Sequence, residues 1–172
     1  MRRIPLLTAA MFLSASLLWA QQGLKAKVNL VNALGAKVGS AELIQTVDGV
    51  KIDLTVSGLT PGLHGFHIHA VGLCEPPDFK SAGGHLNPYG RKHGLKNPDG
   101  PHAGDMHNLE VGADGTGTAE VLDKLVTLDE GVNSLFHEGG TSLVIHADPD
   151  DQMTDPAGNS GARVACGPIV KE

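Results

Sequence analysis

Six of the nine histidines of this 172-residue chain fall between Leu63 and Asp105. His67 and His69 stand two apart in the apolar run Phe66-His67-Ile68-His69. Residues i and i+2 of an extended strand project from one face, so both rings share a side while Phe66 and Ile68 turn into a core. That arrangement can chelate a metal from a rigid surface. His85, His93 and His102 follow at intervals of eight and nine residues, and Asp105 comes three residues later. Three imidazoles and one carboxylate fill a tetrahedral zinc site with no vacancy, which makes such a site structural rather than catalytic. Solvated loop histidines are the competing reading of the same spacing. His146 is a further candidate ligand far downstream. His64, three residues before His67, falls on the core side of the strand and reads as a structural histidine bonded to backbone. His107 and His137 match neither cluster and read as surface residues.

These side chains need a scaffold, and the remaining pattern supplies one. Ala26, Val28 and Leu30 alternate with Lys25, Lys27 and Asn29, and Val50, Ile52, Leu54 and Val56 repeat that period of two, as expected for strands with one buried face. Val38 to Ile44 forms a strand between them, joined to its successor by the Asp48-Gly49 hairpin signal. Leu63 to Ala70, Asn108 to Val111, Thr116 to Leu122, Thr141 to His146 and Arg163 to Val170 complete the set, with Leu125 to Asp129 as an additional short strand. Pro168 suggests an edge or a bulge in the last strand. The pattern predicts an all-β fold, a Greek-key barrel or sandwich of about eight antiparallel strands. Two long loops interrupt it, Val71 to Met106 and Ala147 to Ala162. At about 36 residues the first is too long for an idle connection and carries the ligand-type residues.

Residues 1–20 read as a secretory signal peptide: Met1-Arg2-Arg3 is basic, Ile4 to Leu18 is almost wholly apolar, and Ala20 is small. A membrane anchor is the alternative, but the run is shorter than the ~20 residues a span requires. Residues 21–172 then form one domain. Removing the leader takes away two arginines and no acid, which moves the formal charge from −6 to −8. That acidity argues against nucleic acid or an anionic membrane as partners, while leaving room for a small anion drawn to a local positive patch. Cys74 and Cys166 are the only cysteines. In an oxidising compartment an even pair is normally a disulfide, with free thiols or soft metal ligands as the alternative.

Taken together, Gly62-Leu63-His64-Gly65-Phe66-His67-Ile68-His69, Gly84-His85-Leu86-Asn87-Pro88, Arg91-Lys92-His93-Gly94, His102-Ala103-Gly104-Asp105, Val144-Ile145-His146 and the run from Gly158 to Gly167 resemble copper,zinc superoxide dismutase, from about Lys25 to the C-terminus. The resemblance implies copper held by His67, His69, His85 and His146, and zinc held by His85, His93, His102 and Asp105, so that His85 bridges both ions. It implies that Asp150 orients His67 and His93 from behind. It also implies that Arg163 meets a superoxide anion beside the open copper position, and that His85 takes part in catalysis by carrying a proton. The activity implied is conversion of superoxide to dioxygen and hydrogen peroxide. A copper-binding or copper-delivery protein of the same fold, and a zinc lyase or hydrolase built on the His-x-His pair plus a third histidine, are the alternatives. The short stretch from His146 to Arg163, Ala157 where the eukaryotic branch has threonine, and the leader resemble the bacterial secreted branch. This implies the periplasm and either a monomer or a homodimer. Lys80, Arg91 and Lys92 are available for steering, with a solvated surface as the competing role.

Overall fold

The computed structural model describes residues 23–172, and the signal-peptide reading of residues 1–20 lies outside them. Nine strands follow in order: β1 (Lys25–Asn32), β2 (Lys37–Thr46), β3 (Gly49–Val56), β4 (Gly62–His64), β5 (Phe66–His69), β6 (Leu109–Val111), β7 (Gly117–Asp123), β8 (Ser142–His146) and β9 (Arg163–Lys171). A single 3-10 turn at Lys80–Ala82 is the only helical element among the described residues, and none of those residues forms a helix long and apolar enough to cross a membrane.

The strands pair antiparallel in the order β4-β6-β7-β3-β2-β1-β9-β8-β5. The two ends of that order, β4 and β5, are consecutive in the chain and separated only by Gly65. One run of residues therefore closes the sheet into a barrel, with its first half paired to β6 and its second half to β8. The expected strand Leu63 to Ala70 is thus split in two, which is why nine segments stand where about eight were predicted. The chain crosses over β7 and β6 through residues 57–61 to pass from β3 to β4, a crossover between non-neighbouring strands of the Greek-key kind.

Period-two patterning decides which face is which. Ala26, Val28 and Leu30 of β1, Ile52 and Leu54 of β3, and Phe66 and Ile68 of β5 fill the barrel and are almost without solvent contact. On β8, Leu143 and Ile145 join that core, while Val144 belongs to a second cluster with Phe79, Ala82 and Cys166 on the outside of the barrel. Burying each of the larger of these, valine, leucine, isoleucine or phenylalanine, contributes about 1.5–3 kcal/mol.

Two expectations need correction. Pro168 is not on an edge: β9 lies between β1 and β8, and Pro168 stands opposite Ser142. The ladder to β1 runs through Ala26 to Val28 and resumes at Val31 and Asn32, and the segment that includes Pro168 is passed over. Leu125 to Asp129 forms no strand, only an isolated bridge between Thr127 and Ser134.

Candidate metal centre

The ligand-bearing segments converge on the outside of β5. One edge of that strand pairs with β8, and the other is covered by the long loop, whose backbone bridges His85 to His69 and Asp105 to His67. Leu86 N–H donates to Ile68 O (2.8 Å), Ile68 N–H donates to Gly104 O (2.9 Å), and Gly104 N–H donates to Leu86 O (3.0 Å). A side chain at Gly104 would overlap Ile68 O, so glycine is what lets the loop lie against the strand. Main-chain pairing therefore sets the register of four candidate ligands, and an otherwise open strand edge is capped.

Two groups of four donors result, each with its ligand atoms within 4.8 Å of one another: His67, His69, His85 and His146, and His85, His93, His102 and Asp105. His85 belongs to both. Its Nδ1 lies 2.8 Å from Asp105 Oδ1, on the side of the second group, and its Nε2 is buried with no partner. Four of the other five rings are fixed through the nitrogen that points away from the cluster. His67 Nε2 is 2.8 Å from Asp150 Oδ2, and His93 Nε2 is 3.0 Å from Asp150 Oδ1. His69 Nδ1 donates to Gly83 O at 2.9 Å, and His146 Nδ1 to Gly161 O at 3.3 Å. His69 Nε2 and His146 Nε2 are left facing each other at 3.4 Å.

Buried polar atoms are ordinarily paired, and three of the ring nitrogens here are not: His67 Nδ1, His85 Nε2 and His102 Nδ1 have neither solvent nor a hydrogen-bond partner. Orphaned imidazole nitrogens converging at these distances fit metal ions. Nitrogen donors suit copper, and the three-imidazole, one-carboxylate set suits zinc.

Electrostatics favour the unprotonated rings that ligation needs. Burial, with repulsion from His85, pushes His69 down to about 2. Burial likewise brings His146 to about 3 and His85 to about 4. His93 behaves oppositely: burial works against its charge, but hydrogen bonds with Asp105 and Asp150 hold it up to about 9. Burial also opposes ionisation of Asp105 and Asp150, yet the surrounding histidines and backbone N–H groups hold both carboxyls well below the usual carboxylate range.

Arg163 reaches this centre because β9 is irregular. Ala165 stands opposite Ile145, but Arg163, not Val164, stands opposite His146. Val164 is an extra residue, packed with Ala165 toward the core. A regular strand would have put Arg163 on the opposite face from Cys166; the bulge re-aims it. Its Nη1 and Nη2 donate to Phe79 O and Gly83 O, both at 2.6 Å. Phe79 presents its carbonyl from a left-handed backbone (φ 52°) while its ring is fully buried. Cys74 and Cys166 form a disulfide with their Cα atoms 5.6 Å apart, tying the same loop to β9. Arg163, His69, His85, His102, His146 and Ala157 line a cavity of about 230 Å³.

Sequence reasoning did not single out Asn108, whose amide clamps Asp150 from both sides. Asp150 N–H donates to Asn108 Oδ1 (2.8 Å) and Asn108 Nδ2 donates to Asp150 O (2.9 Å). His64 is buried, one ring nitrogen 2.7 Å from His146 O and the other 2.8 Å from Thr60 O. His107 is exposed and His137 half-buried, and neither joins a ligand group among the described residues. Lys80 and Lys92 pair with Asp78 and Asp155, which reduces what they offer to a distant anion.

The family model for copper/zinc superoxide dismutase matches residues 37–169. The chain is 57% identical to superoxide dismutase (Cu-Zn) 1 of Aquifex aeolicus over 152 residues, 87% of this chain and 89% of that protein. It is 45% identical to superoxide dismutase (Cu-Zn) of Caulobacter vibrioides over 138 residues, 78% of this chain and 79% of that one. The crystal structure of a SOD-like protein from Bacillus subtilis superposes with a TM-score of 0.81 at 42% identity, covering 84% of this chain and 97% of that one. With two donor groups joined through one histidine on a closed Greek-key barrel, and with these matches over most of its length, the chain belongs to the copper/zinc superoxide dismutase family.

Proposed function

We propose that the protein is a superoxide dismutase, with copper held by His67, His69, His85 and His146 and zinc by His85, His93, His102 and Asp105. The observation that carries this reading is the sharing of His85, one ring nitrogen facing each donor group. Bound copper supplies reversible one-electron chemistry, and bound zinc, with its filled d shell, supplies none. Two superoxide ions and two protons give one dioxygen and one hydrogen peroxide.

The chain's own residues account for the rest. Arg163 puts a fixed positive charge at the mouth of a protein whose net charge repels anions, and its remaining N–H donors can bind and orient a small anion. The carbonyls of Phe79 and Gly83 hold the guanidinium in place, so little ordering is left to the encounter. His85 Nε2, free of any protein partner and facing the copper donors, is the atom at which a proton can be held and passed to the departing product. Asp150 positions one ring of each donor group.

Export to a bacterial periplasm accompanies this reading; the disulfide supports it, because such bonds persist in oxidising compartments. Metal analysis of the mature protein with a superoxide assay tests the function. Near-equal copper and zinc with fast dismutation is expected, whereas full metallation without turnover would replace the enzyme with a copper-storage protein. In Arg163→Glu both metals should remain, kcat/KM should fall by about tenfold or more, and the rate should rise rather than fall with added salt. An unchanged rate would remove Arg163 from substrate capture.

A further inference from the structure

Four side chains surround the zinc position assigned above, and they are not equally fixed. His93 is held at both ends: Nε2 bonds Asp150, and its backbone N–H donates to Asp155 Oδ1 at 2.6 Å. Asp105 is locked by its Oδ2, which accepts Gly94 N–H (2.8 Å) and His102 N–H (2.9 Å). His85 is pinned by main-chain pairing with His69 and by Asp105. His102 differs. Its Nδ1 lies 3.3 Å from Asp105 Oδ1 but off the direction of a hydrogen bond, and its ring bonds no partner among the described residues. Its side chain is 9% exposed, against 0% for His93 and Asp105.

Two cavities flank this position. The first, already described, runs along His102, His85, His69 and His146 to Arg163 and Ala157. The second, about 200 Å³, touches Asp105 and is walled by Leu95, Met106 and Leu125 together with His107, Asp123 and Lys124. A divalent ion leaving by the second must displace a carboxylate anchored by two backbone N–H groups. Leaving by the first requires His102 to release the ion and rotate, and its ring has no anchoring hydrogen bond of that kind; the way out then runs past His85, His69 and His146.

We infer that His102 is the gate of the zinc site and that zinc enters and leaves through the mouth that also admits substrate. The inference rests on the assignment of zinc to His85, His93, His102 and Asp105. Zinc release from the zinc-loaded protein to an excess of a chromophoric chelator tests it. Ala157→Phe narrows the shared mouth without touching a ligand, and should slow both release and uptake about tenfold while leaving the equilibrium affinity unchanged. Leu125→Trp fills the other cavity and should leave both rates as they were. Ala157→Leu repeats the first arm with a smaller side chain should the aromatic disturb its loop. Wild-type release rates in the Ala157 variants, or slowed release in Leu125→Trp, would overturn the route. Zinc stoichiometry of the unaltered protein is a separate readout: absence of bound zinc would remove the site assignment itself, whereas bound zinc with rates sensitive to Leu125 would remove only the gate.

Discussion

Asp150 divides one carboxylate between two rings, Oδ2 to His67 and Oδ1 to His93, and so couples the donor groups without belonging to either. Partners of this kind fix ring orientation, and their loss commonly weakens metal binding by ~10–100-fold. Asp150→Ala should therefore lower affinity for copper and zinc together, measured by competition with a chelator for each ion. A loss confined to one metal would mean that the other ring is held by its packing alone. The sequence position of Asp150, four residues after His146, was enough to mark it once the resemblance was drawn. Asn108 carried no such mark, because it was read only as the first residue of a strand. Its use as a two-way clamp on Asp150 backbone depends on a contact across 42 positions.

Among the elements, the legible features were those that depend on local alternation. β1 and β3 were visible as a period of two and the other strands as extended or apolar runs, and the opposite faces of Phe66 and Ile68 and of His67 and His69 followed from strand geometry. What periodicity hides is its own interruption. The bulge at Val164 turns Arg163 to the outer face, yet counting by twos from Cys166 puts it inside. Gly65 likewise breaks one strand between two neighbours, and a Cβ there would sit 2.9 Å from Ser160 Cβ. Pro168 read as the sign of an edge or a bulge because proline lacks a donor; the strand is central and its bulge lies at Val164, and Pro168 is passed where the neighbouring ladder lapses. The disulfide secures the loop that presents Phe79 O and Gly83 O to Arg163. It closes a loop of 92 residues, worth on the order of 4 kcal/mol in the chain-entropy model. Replacing Cys74 and Cys166 together with serine should lower Tm and kcat/KM in the same protein while copper content changes little. Unaltered kcat/KM would show that the two carbonyls hold their place without the bond.

For the whole molecule, burial of so many titratable groups makes stability depend steeply on pH once metals are stripped. His69, His146 and His85 are held down to about 2, 3 and 4 chiefly by burial, so the unfolded chain takes up their protons near pH ~6.5 and the folded chain does not. Their contribution is complete above that pH and is lost as pH falls toward the folded values. Two groups act in the other direction. Asp123, pushed up to about 7 by burial with its Oδ2 unpartnered, favours the fold while neutral and loses that contribution as pH rises through about 7. His93, held up to about 9 by Asp105 and Asp150 against the effect of burial, loses its contribution as pH rises through about 9. Thermal unfolding of the metal-free protein should therefore show a maximum near neutrality, a steep decline from pH 6.5 to 4 and a second, shallower one toward pH 9. A flat profile across the acid limb would mean that these histidines are hydrated in the metal-free state.

One acceptor atom, Gly83 O, receives both the His69 Nδ1 proton and the Arg163 Nη2 proton. The link between the proposed copper ligand His69 and Arg163, the residue proposed to meet the anion, is thus written in the main chain, at a residue with no side chain to remove. Alanine scanning cannot see it, and natural variation cannot tune it one partner at a time. Replacing the Gly83–Gly84 amide with an ester, whose carbonyl is a weaker acceptor, is the chemical edit that would loosen the imidazole and the guanidinium together.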